Sequence, residues 1–551
     1  MILENTDEIK QEIQKYRNLS PFELKNELIS MAKKTEKKGV YSFLNAGRGN
    51  PNWTAATPRQ AFFTLGQFAV EETQRMMQEG DLAGMPYEKG ITEHFREYAK
   101  KHQDAPGMQL LEKVVAYGVE KHDFDEDKWI YELVDGIIGD HYPIPDRMLR
   151  LIEKVVYDYI IKEMSGKLPE SKMHDLFAVE GGTAAMCYIF DTLSANHLLN
   201  KGDYIALMVP IFTPYLEIPH LSRYHFKVTN IYANAVNEEG RHTWQYAKEE
   251  IDKIADPDIK ALFIVNPSNP PSVAMDHETI NYLKEVIKEK NPDLMIITDD
   301  VYGTFVNDFK SLMTEIPYNT VGVYSYSKYF GVTGWRLGII AVAKENVFEK
   351  LLKEIPKEDQ EDLLSRYGDL TNEPDKLKFI DRIVADSRQV ALNHTAGLST
   401  PQQVQMAIFS IFALVDQADT YKNQTKEICR RRLELLYKHM DLPLYMQPHT
   451  SAYYREIDIL VWAKLQYGDE FVEYLKAHYE PEDMLFRLAK DYAIVLLNGN
   501  GFKGPDWSIR VSLANLTDEA YVQIGSIINR LFKSYVEAWQ QSRKIIKKNK
   551  V

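Results

Sequence analysis

Residues 325–338 read SYSKYFGVTGWRLG and set one lysine, Lys328, among hydroxyls, glycines and Arg336. An apolar run, 321–324, leads into this stretch, and another, 338–342, leaves it. Short apolar runs bounded by turn residues are the pattern of strands buried on both faces. The stretch therefore reads as a loop between two buried strands, where a lysine is poorly placed for hydration. It is well placed to act as a nucleophile, because an amine held near another cation and away from bulk water can form a Schiff base with a carbonyl. An ordinary surface turn has the same spacing, so the reading depends on partners elsewhere in the chain.

Further buried strands are predicted at 205–209, 261–265 and 294–298, with helical patterns between them. Over 277–290, for example, Ile280, Leu283, Val286 and Ile287 fall on one helical face. The alternation predicts an α/β fold whose large domain has a mostly parallel central sheet flanked by helices, with a smaller α+β domain beside it. Polar residues gather at the strand ends. Asn266 follows 261–265 in NPSNPP, Asp299 follows 294–298 in TDDVYG, and Ser325 and Lys328 follow 321–324. Each is a common turn former on its own. Open α/β sheets bind ligands at the carboxyl ends of their strands, so an amide, a carboxylate and an amine are expected in one crevice.

That set suits a pyridine aldehyde. A carboxylate keeps the ring nitrogen protonated and the ring an electron sink, an amide and a tyrosine bind the ring phenolate, and the lysine bonds the aldehyde. A phosphate cradle is available at GGTAAM, 181–186, which opens an apolar helical pattern running to about residue 199. Backbone N–H groups at a helix N-terminus attract anions, and Gly181 and Gly182 allow close approach. Thr183 is expected as the N-cap, whichever ligand binds. Ser325 and Arg336 would add a hydroxyl and a bidentate cation. The implied cofactor is pyridoxal 5′-phosphate.

The remaining composition narrows the class. The chain has 551 residues, 44% apolar and 26% charged, enough for two or three domains. A net charge of −14 argues against general nucleic-acid binding. Two cysteines, Cys187 and Cys429, make neither a disulfide framework nor a metal-ligand pattern, so no metal is expected. The acidic, mixed N-terminus lacks a secretory pattern and no apolar run is long enough to span a bilayer, so no membrane partner and a cytoplasmic location are expected. Four regions are anticipated: a helical arm over 1–45 joining the small domain, a large cofactor domain over 46–350 with an insertion at about 80–140 of little clear period, a charged insertion of exposed helices over 351–400, and the small domain over 401–551. The latter should carry a short sheet near 453–462 and 510–513.

In this order, the residues resemble fold-type I pyridoxal phosphate enzymes of the aspartate aminotransferase superfamily. The S-x-S-K-x(7)-R pattern of Ser325, Lys328 and Arg336 is similar to its lysine signature. The resemblance implies Lys328 as Schiff-base lysine and proton shuttle, and Asp299 at the pyridinium nitrogen. It implies Asn266 and Tyr302 at the phenolate oxygen, with Asn266 also near the substrate, and Gly181, Gly182, Thr183, Ser325 and Arg336 around the phosphate. Phe212, in VPIFTPY, would stack on the ring. Tyr142, in HYPIPDRML, would reach the phosphate of a neighbouring subunit, although Asp146 or a neighbour stands where that motif has a glycine. Arg510, in SIRVSLANL, would grip the substrate α-carboxylate.

NAGRGNPNW at 45–53, EGGTAAMCY, NPSNPPS and the length above 500 residues resemble the L-aspartate β-decarboxylase branch, also called aspartate 4-decarboxylase. There, Arg48 and Gly49 would lie where a loop closes over the substrate. The resemblance implies conversion of L-aspartate to L-alanine and CO2 with side aminotransferase activity, a 2-oxo acid such as pyruvate as activator, and a homodimer or a larger assembly of dimers. A plain aspartate aminotransferase shares every cofactor residue and is the alternative. A ligand-sensing regulator would carry a basic helix-turn-helix module, for which 1–45 is too short and not basic enough.

Overall fold

In the computed structural model, residues 6–17, 19–391 and 397–548 are described. Parts of three expected regions lie outside them: 1–5 and 18 of the arm, 392–396 of the charged insertion and 549–551 at the C-terminus. Seven strands form the central sheet: β1 (His174–Val179), β2 (Tyr204–Val209), β3 (Lys227–Tyr232), β4 (Ile259–Val265), β5 (Met295–Asp299), β6 (Thr320–Ser325) and β7 (Gly338–Ala343). Their order is β1-β7-β6-β5-β4-β2-β3. Only β7 runs against its neighbours, β1 and β6; the other pairs are parallel. Strands β1, β5, β6 and β7 are buried at every position, as continuous Val/Ile/Leu runs require.

The reversal of β7 shapes the lysine loop. Parallel neighbours need a crossover, usually a helix, whereas antiparallel neighbours can be joined directly. Residues 326–337 therefore run from β6 straight to β7, and Tyr326 N–H donates to the Leu337 carbonyl at 3.1 Å where the two strands part. The register also brings strand ends level. Val265 is opposite Asp299, and Asp299 is opposite Val323.

A second sheet of three antiparallel strands, in the order Leu497–Asn498, Ser508–Ser512, Tyr454–Asp458, stands beside the first. The strand expected to reach 462 stops at Asp458, whose Oδ1 accepts from the N–H groups of Leu460 and Val461 and so starts the helix Ile459–Tyr467. Helices Thr6–Tyr16 and Pro21–Glu36 pack on helix Asp483–Tyr492, and Leu44–Asn45 pairs in parallel with Ile494–Val495.

Three stretches differ from expectation. The aperiodic 80–140 region forms helices Ile91–Lys101, Met108–His122 and Glu126–Ile138. The charged 351–400 region is not simply exposed: in helix Phe379–Ala391, Phe379, Ile380 and Ile383 are buried against helix Gly182–Ala195 and β1. Its charges are satisfied inside, since Arg382 donates to Asn196 Oδ1 at 2.9 Å and Asp386 accepts from Tyr367 and Arg366. Helix Thr400–Val415, expected in the small domain, instead packs on Ala56–Gln78, Glu126–Ile138 and Arg150–Ser165 beside the central sheet.

Candidate active site

A cavity of about 420 Å³ opens at the carboxyl ends of β4, β5 and β6, where the second sheet faces the first. At one end lies the start of helix Gly182–Ala195. Gly181 caps it with φ 87° and no side-chain cap bond, so Thr183 sits in the first turn rather than at the cap. A Cβ on Gly181 would lie 2.7 Å from Arg336 Nη2. Arg336 donates to the Glu180 carbonyl at 3.1 Å and the Thr333 carbonyl at 3.2 Å, which holds its guanidinium over the helix start. Ser325 and Ser327 also line this end, and Ser327 Oγ is buried with no partner among the described residues. Bare backbone, a guanidinium and hydroxyls are the donor set for a phosphate.

Asp299 lies deeper, at the end of β5, nearly fully buried. Burial raises its carboxyl above the ordinary value, while Tyr215 O–H, Val301 N–H at 3.2 Å and the Lys328 charge pull it back. A buried carboxylate with few donors suits a protonated ring nitrogen. Phe212 lines the same wall, its ring centroid 5.7 Å from that of Tyr215.

Lys328 lies across the cavity and donates to the Gly49 carbonyl at 3.4 Å, to which Tyr453 O–H also donates, at 2.7 Å. Gly49 has no room for a side chain, because a Cβ there would collide with Tyr454 Oη. Tyr302 and Tyr454 share a hydrogen bond at 2.9 Å, and burial holds the Tyr302 hydroxyl well above the ordinary phenol value.

Arg510 is buried behind them, its guanidinium 4.4 Å from the Tyr454 ring centroid and 4.8 Å from that of Phe502. It donates to Asn269 Oδ1 at 3.1 Å and the Gly47 carbonyl at 2.8 Å, and its Nε is buried without a partner among the described residues. Burial lowers its pKa, and nearby Tyr454, Tyr302 and Glu456 oppose that. Arg48 lines the cavity with an exposed side chain. Lys25, from helix Pro21–Glu36, completes a cationic end, its pKa lowered by burial and by the charges of Arg48 and Arg510.

One of these expected placements changes. Asn266 does not line the cavity: its Oδ1 accepts from Met275 N–H at 3.0 Å, which makes it a brace of the turn. Asn269, three residues on, lines it instead, because Ser272 N–H bonds the Ser268 carbonyl and curls the turn back over the strand ends. NPSNPP contains both asparagines, and proximity to the strand end favoured the wrong one. Tyr142 is 70% exposed and lies outside the cavity of its own chain. Sequence reasoning also passed over Tyr215, Tyr454, Ser327 and Lys25. Tyr215 had a signal, standing one helical turn after Phe212; Lys25, on a remote amphipathic helix, had none.

The phosphate cradle, the buried carboxylate and the opposed lysine fit pyridoxal phosphate. The class I and II aminotransferase family model matches residues 165–525. A bifunctional aspartate aminotransferase and L-aspartate beta-decarboxylase from a Pseudomonas species is 47% identical over 526 residues, covering 95% of this chain and 97% of that protein. Among solved structures, Thermus thermophilus aspartate aminotransferase with maleate superposes with a TM-score of 0.54 at 16% identity, covering 92% of this chain and 96% of that one. YbdL from Escherichia coli gives 0.53 at 12% identity, covering 92% and 96%. These likenesses carry the fold, a fold-type I α/β architecture. The chain belongs to the class I and II aminotransferases, whose cofactor is pyridoxal phosphate.

Proposed function

We propose that this chain removes the β-carboxylate of L-aspartate, giving L-alanine and CO2, and also transfers the amino group of aspartate to a 2-oxo acid. The observation that carries this is the cationic end of the cavity, where Arg510, Arg48 and Lys25 gather. Three cations suit a substrate with two carboxylates. The named activities of the Pseudomonas relative support the same reading.

The residues divide the work. Gly182, Thr183, Ser325, Ser327 and Arg336 would hold the cofactor phosphate, Asp299 the ring nitrogen, Phe212 the ring face, and Asn269 with Tyr302 the phenolate oxygen. When bound, the cofactor supplies an aldehyde and an electron sink for the pair left at the substrate α-carbon. Lys328 would take the α-proton as general base and return it as acid. Tyr302 and Tyr454 pack beside it and keep bulk water from that proton.

The cations differ in how firmly they are held. Arg510 is buried, stacked and tied at two points, a grip suited to the α-carboxylate, which is never lost. Arg48 is exposed. A rigid bidentate clamp would stabilise the β-carboxylate as an anion and oppose departure of neutral CO2. The looser Arg48 and Lys25 side of the cavity is therefore where the departing group belongs.

We place the enzyme in the cytoplasm; no helix among the described residues is long and apolar enough to cross a membrane. Its working form is at least a homodimer, in which exposed Tyr142 reaches the phosphate of a neighbouring subunit, and pyruvate restores the cofactor after transamination. The test is to supply the holoenzyme with L-aspartate and no 2-oxo acid, and to measure alanine and CO2. Equal yields of the two support the proposal. Oxaloacetate without CO2, formed only when a 2-oxo acid is added, would make it a plain aspartate aminotransferase.

A further inference from the structure

Tyr454 lines the catalytic cavity beside Tyr302, and the two hydroxyls share a hydrogen bond at 2.9 Å. Packing fixes the Tyr454 ring on several sides. Its backbone opens strand Tyr454–Asp458 opposite Ser512, and its N–H donates to Ser272 Oγ at 2.8 Å, in the turn that carries Asn269. Its ring stands edge-on to those of Tyr302 and Tyr453, with centroids 5.4 and 5.0 Å away. The Arg510 guanidinium lies 4.4 Å from its centroid, and Gly49, bare of a side chain, leaves the space that Tyr454 Oη occupies.

A phenol has one proton to donate and lone pairs with which to accept. Burial holds the Tyr302 hydroxyl well above the ordinary phenol value, so Tyr302 keeps its proton. When that proton is spent on the phenolate oxygen of the cofactor ring, the shared bond forms only with Tyr454 as donor. The reverse arrangement, Tyr302 donating to Tyr454, takes the proton away from the phenolate. Arg510 selects between the two, because a cation over the Tyr454 ring draws electron density from it and makes its O–H the better donor.

We propose that Tyr454 is a positioning residue: its hydroxyl donates to Tyr302 Oη and so commits the Tyr302 proton to the cofactor's phenolate oxygen, given that Tyr302 serves that oxygen as proposed for the site. Hydrogen bonds in a chain polarise one another, so a donor behind Tyr302 strengthens the bond in front of it. A stronger donor at the phenolate stabilises its negative charge and loosens the proton on the nitrogen that joins Lys328 to the cofactor. Tyr454 thus keeps that nitrogen less basic, acting through Tyr302.

The holoenzyme is titrated with acid and base in the absence of aspartate, and the midpoint of the cofactor's absorbance transition is read. The spectrum itself reports that each variant is folded and loaded. Tyr302→Phe should raise the midpoint by about one to two pH units, as loss of a hydrogen bond to a charged group requires. Tyr454→Phe keeps the ring and its packing and should raise it by about half a unit. In a Tyr302→Phe background, Tyr454→Phe should add nothing, a dependence that a merely structural hydroxyl would not show. The inference is overturned if Tyr454→Phe leaves the midpoint in place or lowers it, or if it moves the midpoint equally with and without the Tyr302 hydroxyl. An unchanged midpoint in Tyr302→Phe overturns it too, together with the placement of Tyr302 at the phenolate. No readout uses aspartate turnover, so each of these failures leaves the decarboxylation reading standing.

Discussion

Tyr215 donates its hydroxyl to Oδ2 of Asp299, the buried carboxylate at the end of β5. The contact links the short helix Thr213–Glu217, which follows β2, to the next strand but one in the sheet. It also lowers the Asp299 pKa, against burial, which raises it more. Tyr215→Phe should raise the Asp299 carboxyl further and weaken its hold on a protonated ring nitrogen. A hydrogen bond to a charged group is worth about 1.5–3 kcal/mol, so retention of pyridoxal phosphate should fall about tenfold or more. Equilibrium dialysis measures this, and the acid limb of the rate–pH profile should move to higher pH.

Gly181 tests the phosphate end. Alanine there meets Arg336 Nη2 at 2.7 Å and must adopt φ 87° with ψ 173°, a region essentially confined to glycine that costs an L-residue about 1–3 kcal/mol. Gly181→Ala should therefore lower both the melting temperature of the apoenzyme and its affinity for pyridoxal phosphate. Calorimetry and a cofactor titration separate the two losses. Unchanged cofactor affinity would remove Arg336 from the phosphate site.

Arg510→Lys keeps a positive charge but loses the planar fork that reaches both Asn269 and the Gly47 carbonyl. The KM for aspartate should rise about a hundredfold, equivalent to ~2.7 kcal/mol. Cofactor absorbance should persist, because Arg510 lies away from the phosphate end. Steady-state kinetics beside an absorbance spectrum reads both.

Glu456 sets a pH dependence of stability. Burial pushes its carboxyl up to about 8, while an unfolded chain releases that proton near the ordinary value of 4.5. Between those values the native state holds a proton that the unfolded state lacks, so this residue's contribution is full below pH 4.5 and is lost as pH rises through about 8. Glu456→Gln cannot ionise. Its stability should decline less than the parent's across that window, as urea unfolding at a series of pH values would show.

The sequence alone determined the α/β class, because continuous apolar runs alternating with helical periods admit few other layers. It also singled out Lys328, Ser325 and Arg336, which lie in one short loop and which the structure brings to one cavity. Asp299 was legible for the same reason, standing directly at a strand end. The tertiary structure decided what depended on distant segments meeting. Asn269 displaced Asn266 because a backbone turn, invisible in NPSNPP, curls the second asparagine over the cavity. Lys25 joined the site because its helix packs on the small-domain helix Asp483–Tyr492, more than 400 residues away along the chain. Helix Phe379–Ala391 was misread as exposed because its charge pattern carries no record of Asn196, Tyr367 and Arg366, the partners that let Arg382 and Asp386 be buried. Local spacing records what neighbours in the chain can do together; which remote groups neutralise a charge or shape a pocket is settled only by packing.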